Sequence, residues 1–506
     1  MPMLPNTIQS GLDTWLERVE AIDDLKRIGA EVDPDLEMTT LAYLNGGRKG
    51  PALLFENIKG MPGQRALLNI HSSSISRLCI TMGERPVAHP LEAIRMLQKK
   101  MQATLAPEDV DQGLALCNQN VVAGDKIDIT KLAAPRFWPL DGGRYIGTAN
   151  AVITQDPDTG RVNLGTYRMM IKGPREVGVY IIPGKDGALD RDKWWKRGKP
   201  VPIAAAVGIN PALFLVAATS FPEGHNEYDH CGGILGAPVK IFQSDVTGLP
   251  LPADAEIIVE GFLYPGDEFL EGPFGEFCGY YGEAAKTPFF KIERLRYRSN
   301  PILTCAIVCD GAASDNSLMW GSSRAAATWS DLEKLGIAGI QGVWSVHEAA
   351  AGGFTVVSVK QMYPGHATQV MTLAAQCRGA ALFGKYIIVV DHDIDPTDIH
   401  QVLWAMATRS RPAYSIDFLR DTWNTYTDPS INPRELRPFG SKCLINACMD
   451  YRFINTFPKR ERLSQVSYER VAARWDEFGL GGSAPMVPVF EEADFPQTFN
   501  AAGGFS

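Results

Sequence analysis

The sequence has little basic charge and no long apolar run. Its 506 residues include 49 lysines and arginines against 58 aspartates and glutamates, which gives a net charge of −9. This balance argues against a general nucleic-acid-binding protein. No stretch of about 18 apolar residues could span a membrane, and the N-terminus lacks the charged and apolar segments of a secretion signal. We therefore expect a cytoplasmic protein that binds no nucleic acid and has no membrane span.

Common catalytic signatures are also missing. The nine cysteines include no C-x-x-C pair, which disfavours a cysteine zinc site and indicates reduced core thiols. The chain has no G-x-x-x-x-G-K-[ST] loop, no G-x-G-x-x-G after a strand, no G-x-S-x-G elbow and no H-E-x-x-H motif. The sequence therefore gives no support to the usual nucleotide-binding, serine hydrolase and metalloprotease classes.

The composition and residue pattern of the sequence predict four regions. An N-terminal α/β region spans 1–122. Short β-branched and aromatic runs separated by Gly, Pro and Asn predict a sheet-rich domain or barrel over 123–300. Strands alternating with helices predict a parallel α/β layer over 301–480, and 481–506 forms a tail rich in Pro, Gly and Ala.

Four local predictions are specific enough to check. Apolar residues at helical spacing predict one helix over 11–29. A second helix over 396–412 is predicted to have Thr397 as its N-cap. The serine-rich segment 72–76 is predicted to be a solvated loop, and the acids of 391–395 are predicted to cap a helix or make a subunit contact rather than bind metal.

The stretch FLEGPFGEFCGYYGE, residues 269–283, contains acids but no lysine or arginine. Glu271 and Glu276 are five residues apart across Gly-Pro and Gly, so a sharp turn can bring both to one cavity. Acids in an apolar cavity have raised proton affinity, which suits proton transfer near neutral pH. The alternative is a loop whose acids cap a helix or face solvent, and from this stretch alone the two are evenly matched.

Two other segments contain groups that could form a site with these acids, one a cationic side chain and the other possible metal ligands. Arg168 lies inside a strand-like run, where a guanidinium must face solvent or hold a carboxylate, and Asn163 lies five residues before it. The segment 221–236 places Glu223, Glu227 and Asp229 on a Gly-bounded loop, and such oxygen ligands suit Mg²⁺ or Mn²⁺. His225 and His230 on the same loop are alternative ligands.

In order, the segments NLGTYRM, PEGHNEYDHCGGILG and LEGPFGEFCGYYGE resemble the UbiD-type reversible decarboxylases, which use prenylated FMN. The likeness extends to 198–224, 363–367 and 391–409, so it covers most of the chain. It implies a mixed fold with an N-terminal α/β region, a central split β-barrel that binds the flavin, and a C-terminal α/β domain that oligomerises. It also implies a homodimer or homohexamer, and a flavin prenyltransferase as the supplier of the cofactor.

The resemblance assigns roles to individual residues. A Glu–Arg–Glu triad falls on Glu271, Arg168 and Glu276, with Glu276 as the proton donor or acceptor. Cofactor contacts fall on a larger set, namely Asn163, Thr166, Tyr167, Arg168, Met169, Lys185, Glu227 and Arg378. A divalent Mn²⁺ or Mg²⁺, together with K⁺ or Na⁺, would neutralise the flavin phosphate. The substrate pocket would include Phe277, Asn316 and Trp320.

One position departs from the family pattern. The family supplies a metal-binding histidine in a segment that matches 181–194, and here that segment contains Lys185 and Asp186 but no histidine. The expected metal ligands are therefore Asn163, Asp186 and Glu227.

The predicted reaction is the reversible, non-oxidative decarboxylation of an unsaturated, aromatic or heteroaromatic carboxylic acid. Its carbanion-like centre needs an electron sink, which a cofactor must supply because no side chain can. The partners are then an aryl carboxylic acid and CO₂. Two alternatives stay open: a flavin-dependent or NAD-dependent oxidoreductase on a split barrel, and a catalytically silent cofactor-binding or assembly protein.

Overall fold

The computed structural model describes residues 11–222 and 224–490. The loop acid Glu223 and the last part of the predicted tail, 491–506, lie outside the described residues. The chain divides into two compact units, one ending at Cys448 and one beginning at Met449. The domain boundaries predicted above stay a prediction.

The N-terminal region is a small sheet flanked by helices. Its elements are α1 (Gly11–Glu20), β1 (Leu25–Ile28), α2 (Glu37–Gly47), β2 (Ala52–Phe55), β3 (Arg65–Leu68), α3 (Ile75–Thr81) and α4 (Pro90–Lys100). The sheet has four strands, and its last one comes from much later in the chain. This region matches the predicted α/β class.

The predicted single helix over 11–29 is wrong. Helix α1 stops at Glu20 after burying its apolar face, and Leu25–Ile28 instead forms β1, which pairs in parallel with β2. The break lies at Asp23, which adopts a left-handed conformation (φ 56°), and at Asp24, which forms a 2.7 Å ion pair with Arg77. Apolar spacing alone could not separate a helix from a helix followed by a short strand.

The central region is a sheet of nine strands that curls into a half barrel. The elements of this region, of which only some belong to that sheet, are in chain order β4 (Glu108–Asp109), β5 (Asn120–Ala123), β6 (Tyr145–Gly147), β7 (Asn150–Gln155), β8 (Val162–Gly165), β9 (Met169–Gly173), β10 (Glu176–Gly178), α5 (Asp186–Lys196), β11 (Val201–Val207), α6 (Pro211–Ala217), α7 (Glu227–Leu235), β12 (Lys240–Gln243), β13 (Pro250–Pro252), β14 (Ile257–Glu271), β15 (Phe274–Gly275), β16 (Tyr281–Gly282), β17 (Ala285–Tyr297) and β18 (Ile302–Thr304).

Strand pairing in this region fixes where the candidate acids lie. The half barrel runs in the order β6-β9-β10-β17-β14-β11-β7-β8, with β5 also paired to β17. The long strands β14 and β17 pair antiparallel up to Glu271, which faces Ala285. Strand β18 leaves this region and completes the N-terminal sheet in parallel with β3.

The C-terminal part of the first unit is an α/β layer. Its elements are α8 (Asp315–Lys334), β19 (Ile340–Ser345), β20 (Phe354–Val359), α9 (His366–Ala374), α10 (Arg378–Ala381), β21 (Tyr386–Asp391), α11 (Ile399–Arg409), α12 (Pro412–Ser415), β22 (Ile416–Trp423) and β23 (Phe439–Ala447). The sheet order is β19-β20-β21-β23-β22. Its three central strands are parallel and its two edge strands antiparallel, so the predicted fold class is confirmed.

Two details differ from the sequence predictions. Helix α11 is capped by Asp398 rather than Thr397, because the Asp398 carboxylate accepts the free N–H groups of His400 and Gln401. The segment at Ser72 is not solvated: Ser72 is fully buried, and its N–H donates to Asp315 at 3.0 Å.

Asp315 connects distant parts of the first unit. It is fully buried at the start of α8, and its carboxylate accepts the N–H groups of His71, Ser72 and Ile307 at 3.0–3.1 Å. Burying a carboxylate is unfavourable unless hydrogen bonds compensate it, and these three bonds do so. The N-terminal sheet and α8 are therefore fixed to each other.

The acids of the 391–395 segment form ion pairs rather than the predicted helix cap, and the predicted subunit contact stays a prediction. Asp391 and Asp393 bind the Arg409 guanidinium at 3.1 and 2.8 Å, and Asp395 contacts His89 at 2.9 Å.

The second unit has little regular structure in its described part. It contains β24 (Leu463–Ser464), α13 (Gln465–Ala472) and β25 (Val489–Phe490), with β24 and β25 paired in parallel. Across both units, no helix of the described residues has the length and apolar character needed to cross a membrane.

Candidate active site

Three elements of the half barrel deliver the predicted triad to one point. Arg168 lies in the short connection between β8 and β9, Glu271 ends β14, and Glu276 follows β15. The chain reverses between the two acids at Gly272, whose φ of +89° is open to glycine but strained for other residues. The Gly-Pro turn seen in the sequence therefore does bring both carboxylates to one arginine.

Arg168 is held by both acids. Its Nε and Nη2 donate to the two oxygens of Glu271 at 3.0 and 2.7 Å, and its Nη1 donates to Oε1 of Glu276. The guanidinium also stacks on the Tyr180 ring, 4.1 Å from its centroid. Glu271 is fully buried and accepts a third hydrogen bond, at 2.9 Å, from the hydroxyl of Tyr145. The arginine is therefore fixed in position and in charge.

The electrostatics separate the roles of these groups. Burial raises the pKa of Glu276, and the Glu271 charge adds to the rise while Arg168 opposes it. Burial disfavours the charge on Arg168, but the carboxylates of Glu276 and Glu271 outweigh this and raise the pKa of Arg168. Glu276 is thus a carboxyl of the triad whose protonated form is favoured by its surroundings, and Arg168 stays charged.

Asp141 and Tyr145 support the triad and were missed in the sequence. Asp141 accepts the N–H groups of Trp138 and Gly275 at 3.0 Å each, which fixes the residue just before Glu276. Burial raises the pKa of Asp141 to about 6, against the effect of these two bonds. No local motif marks either residue, because each acts through a partner more than 120 positions away.

A cavity of about 480 Å³ opens beside the triad. Most predicted site residues line it, namely Asn163, Thr166, Tyr167, Arg168, Lys185, Asp186, Glu227, Glu276, Phe277, Asn316, Trp320 and Arg378. Two do not: Glu271 lies behind Arg168, and Met169 is fully buried, with its sulfur accepting an N–H of Asn150 at 3.1 Å. The structure therefore gathers residues from the half barrel and the C-terminal layer around one space.

The predicted metal ligands lie on this cavity wall. Glu227 opens α7 and accepts the N–H of Leu164 at 3.0 Å, and burial raises its pKa to about 7. Asn163 is buried and donates to Thr154 at 3.1 Å. Asp186 is half exposed and forms a 3.2 Å ion pair with Arg161.

The oxygen atoms of these residues are of the type that binds a hard cation, but the residues do not form a complete set of metal ligands. The described residues contain no cluster of three or more His, Cys, Asp or Glu placed to hold a metal. Glu227 and Asn163 offer oxygen ligands, which Mg²⁺ and Mn²⁺ prefer, and the buried Glu227 carboxylate would gain from a cation. Asp186 would have to leave Arg161 to join them, so its metal role stays a prediction.

Aromatic rings line the part of the cavity next to Glu276. Phe277 meets Trp320 and Phe383 edge-to-face, with ring centroids 5.5 and 5.3 Å apart. The sequence indicated Phe277 and Trp320 but missed Phe383, which lies in a loop with a left-handed backbone (φ 61°). Such walls suit a flat ring.

The cavity also has the features expected of a flavin site. Asn150 Oδ1, Asn316 Oδ1 and Arg378 Nε are buried without a hydrogen-bond partner among the described residues. Buried polar atoms normally have partners, so these three indicate a ligand with polar edges. With aromatic walls and cationic side chains at Lys185 and Arg378, the residues present fit a flat ring system that carries an anionic group.

Family models match most of the chain. The N-terminal, Rift-related and C-terminal domains of 3-octaprenyl-4-hydroxybenzoate carboxy-lyase match residues 16–99, 108–311 and 317–447. A fold of this kind with this site defines a carboxy-lyase, an enzyme that removes CO₂ from a carboxylic acid. The chain belongs to the UbiD family.

Solved structures of similar proteins align with nearly the whole length of this chain. The UbiD-class enzyme HmfF from Pelotomaculum thermopropionicum in complex with FMN has 25% identity and a TM-score of 0.79, over 89% of this chain and 97% of that one. The closed form of vanillic acid decarboxylase from Sedimentibacter hydroxybenzoicus has 26% identity and a TM-score of 0.81, over 94% and 100%. Apo 3,4-dihydroxybenzoic acid decarboxylase from Klebsiella pneumoniae has 25% identity and a TM-score of 0.80, over 92% and 100%.

Proposed function

We propose that the protein uses prenylated FMN to catalyse the reversible, non-oxidative decarboxylation of an aromatic or heteroaromatic carboxylic acid. The observation that carries the proposal is the position of Glu276. It is a largely buried carboxyl with a raised pKa, held by Arg168 at the edge of a cavity with aromatic walls. An HmfF structure contains prenylated FMN, and the vanillic and dihydroxybenzoic acid decarboxylases act on aromatic acids.

The side chains divide the chemistry between them. When bound, prenylated FMN supplies the electron sink for the charge left by loss of CO₂. Arg168 attracts the substrate carboxylate into the cavity, and Glu271 and Tyr145 keep its guanidinium in place. Oε1 of Glu276 is engaged by Arg168, so we assign the transferred proton to Oε2. Glu276 delivers this proton to the carbon that has lost CO₂ and removes it in the carboxylation direction.

The cation site belongs to the same proposal. Asn163, Glu227 and Asp186 would hold Mn²⁺ or Mg²⁺, and with K⁺ or Na⁺ this charge would neutralise a flavin phosphate near Lys185 and Arg378. The buried, easily protonated Glu227 supports a cation here, since a neighbouring positive charge stabilises a buried carboxylate.

Assembly is proposed to be a homodimer or homohexamer. The edge strand β22 presents Phe418 and Trp423, and its neighbour β23 presents Phe439, each more than half exposed. Light scattering on the purified protein would measure the mass and decide between these assemblies and a monomer.

The test is to produce the chain together with a flavin prenyltransferase and to screen aryl acids for CO₂ release. In Glu276→Gln, decarboxylation and proton exchange into the product should fall by a factor of roughly 10² to 10⁴, while flavin content stays near that of the parent. Glu283→Gln is the matched control, because Glu283 is exposed and its ion-pair partner in the described part of the chain is an exposed arginine, Arg434.

Near-parental turnover in Glu276→Gln would remove this residue from the mechanism. A flavin absorption spectrum that lacks the modified cofactor, together with hydride transfer to an acceptor, would favour an oxidoreductase instead.

A further inference from the structure

The end of β22 and the loop that follows it contribute Trp423, Thr425 and Thr427 to the lining of the cavity. The N–H of Phe383 donates to the carbonyl oxygen of Trp423 at 3.4 Å, and the thiol of Cys278 donates to the carbonyl oxygen of Thr427 at 3.4 Å. This segment therefore adjoins the aromatic part of the cavity and the loop that carries the proposed proton donor. Its two threonines bring hydroxyl groups to a region that is otherwise aromatic.

The hydroxyls of Thr425 and Thr427 bind each other, and one proton is left over. Their oxygens lie 2.9 Å apart, so one hydroxyl donates to the other. Each hydroxyl has one proton to donate, and the pair contains only this one internal bond. Among the residues that the structure describes, neither hydroxyl donates to another acceptor. One proton is therefore available to a ligand, whichever of the two oxygens is the internal donor.

The pair can also accept a hydrogen bond. Two hydroxyl oxygens have four lone pairs between them. The internal bond occupies one, and the N–H of Thr427, which donates to Oγ1 of Thr425 at 3.3 Å, occupies a second. Both a donor and an acceptor therefore remain, which is the pattern that matches another hydroxyl group.

Buried hydrogen bonds hold this loop in place. Asp428 is fully buried, and its carboxylate accepts from the Asn424 amide at 2.8 Å and from the Lys385 ammonium at 2.9 Å. The side-chain oxygen of Asn424 accepts the N–H of Thr425 at 2.7 Å. Because the loop is already ordered, little conformational entropy is lost when a ligand binds to the hydroxyl pair.

The course of the segment separates the hydroxyl pair from the proposed phosphate end of the cavity. Trp423 lies toward that end, with the Lys185 ammonium 6.0 Å from the centre of its ring. Thr427, four residues further along, instead contacts Cys278, which is two residues beyond Glu276 in the chain. The pair therefore belongs to the side of the cavity where a reacting ring would lie.

We infer that the Thr425–Thr427 pair binds a ring hydroxyl of the substrate, so that the preferred substrates are hydroxybenzoic acids rather than benzoic acids with apolar substituents. This inference rests on the proposed decarboxylase function. The phenolic oxygen accepts the spare proton of the pair, and the phenolic proton is donated to a free lone pair of a threonine oxygen. A ring with a methyl group at that position would leave the spare proton without an acceptor, which is unfavourable away from water.

The experiment compares 3-hydroxybenzoate and 4-hydroxybenzoate with the matching methylbenzoates in the holoenzyme. A methyl group is similar in size to a hydroxyl but forms no hydrogen bond. For at least one position, the ratio of kcat/KM for the hydroxy acid to that for the methyl acid should fall roughly 3-fold to 10-fold in the double variant Thr425→Val, Thr427→Val, the range of one hydrogen bond. Comparison with the parent cancels the difference in intrinsic reactivity between the two acids.

Two further variants serve as controls. The double variant Thr425→Ser, Thr427→Ser keeps both hydroxyls and should keep the parental ratio. Thr408→Val makes the same chemical change on the exposed side of α11, where the hydroxyl donates to the carbonyl oxygen of Trp404 at 2.8 Å, and should also leave the ratio unchanged. A fall in the ratio in either control would overturn the inference.

Calorimetric binding of the same acids to the FMN-loaded protein gives a readout that does not depend on turnover. In the parent, at least one hydroxy acid should bind more tightly than its methyl analogue, and the absence of any such preference would overturn the inference even if the valine variant did not fold. A preference that is lost in the valine variant supports the inference even if no CO₂ is released, a result that would count against the proposed function alone.

Two other results would assign the hydroxyls a different role. An equal loss for hydroxy and methyl acids in the valine variant would assign them to holding the loop and would overturn the inference. Weaker FMN binding with an unchanged ratio would assign them to the cofactor and would overturn it too.

Discussion

Replacing Glu271 by glutamine should loosen the end of β14. The Glu271 carboxylate is fully buried and accepts two hydrogen bonds from Arg168 and one from Tyr145. A glutamine keeps one acceptor oxygen and places an NH₂ group against the donors of Arg168, which is left buried with half of its compensation gone. Breaking a buried pair in this way costs roughly 3–5 kcal/mol, a factor of roughly 10² to 10⁴ in a local opening equilibrium.

Amide hydrogen exchange measures that opening directly, without requiring the whole chain to unfold in one step. Peptides covering 268–276 should exchange faster by that factor in Glu271→Gln. Glu283→Gln, which disrupts an exposed pair with Arg434, should change exchange by no more than about fivefold, because such pairs contribute only about 0–1 kcal/mol.

The same substitution should also move the pH profile. The negative charge of Glu271 contributes to the raised pKa of Glu276, so its removal lowers that pKa. In the mechanism proposed above, decarboxylation needs protonated Glu276, so activity should be lost as pH rises through its pKa. The descending limb of the pH–rate profile should therefore shift to lower pH. Exchange within twofold of the parent, or a limb that stays in place or moves to higher pH, would refute this account of the triad.

Three further changes test other parts of the site. Gly142→Ala should lower activity and thermal stability, because a Cβ would lie 2.0 Å from the carbonyl oxygen of Gly272, whereas Gly47→Ala, with no atom within 4 Å, should be tolerated. Burial raises the pKa of Asp141 from 3.8 to about 6, so the parent should lose up to about 3 kcal/mol of stability as pH rises across that interval. Thermal midpoints measured over this pH range should fall less in Asp141→Asn than in the parent. An equal fall would contradict the raised pKa of Asp141. Asp186→Ala should weaken Mn²⁺-dependent FMN loading roughly 10-fold to 100-fold and Asp186→His should restore it, while parental loading in the alanine variant would make it a surface residue.

The sequence predicted the fold class from local traces, and local traces together with the family resemblance led to the proposed triad. Strand-like runs and turn residues mark the half barrel, and Gly-Pro between two acids marks the turn that joins Glu271 to Glu276. Arg168 was identifiable because a charge inside a strand-like run needs a partner. Each of these signals lies within a few residues of the group that it concerns.

The missed residues lack such traces. Tyr145, Asp141 and Phe383 acquire their roles from contacts with distant segments, and composition cannot show those contacts. Strand pairing likewise determined the conformation at Leu25, which lies in β1 beside a parallel strand although the apolar pattern predicted a helix.

The closure of the N-terminal sheet affects the order in which the chain can fold during synthesis. Strand β3 receives its partner β18 only once Ile302–Thr304 has been made, and the N–H groups of His71 and Ser72 find Asp315 later still. Until then, the ribosome holds an N-terminal segment with an open strand edge and two unsatisfied donors. The N-terminal sheet is therefore completed late, and a nascent chain that ends before Asp315 cannot form this part of the native core.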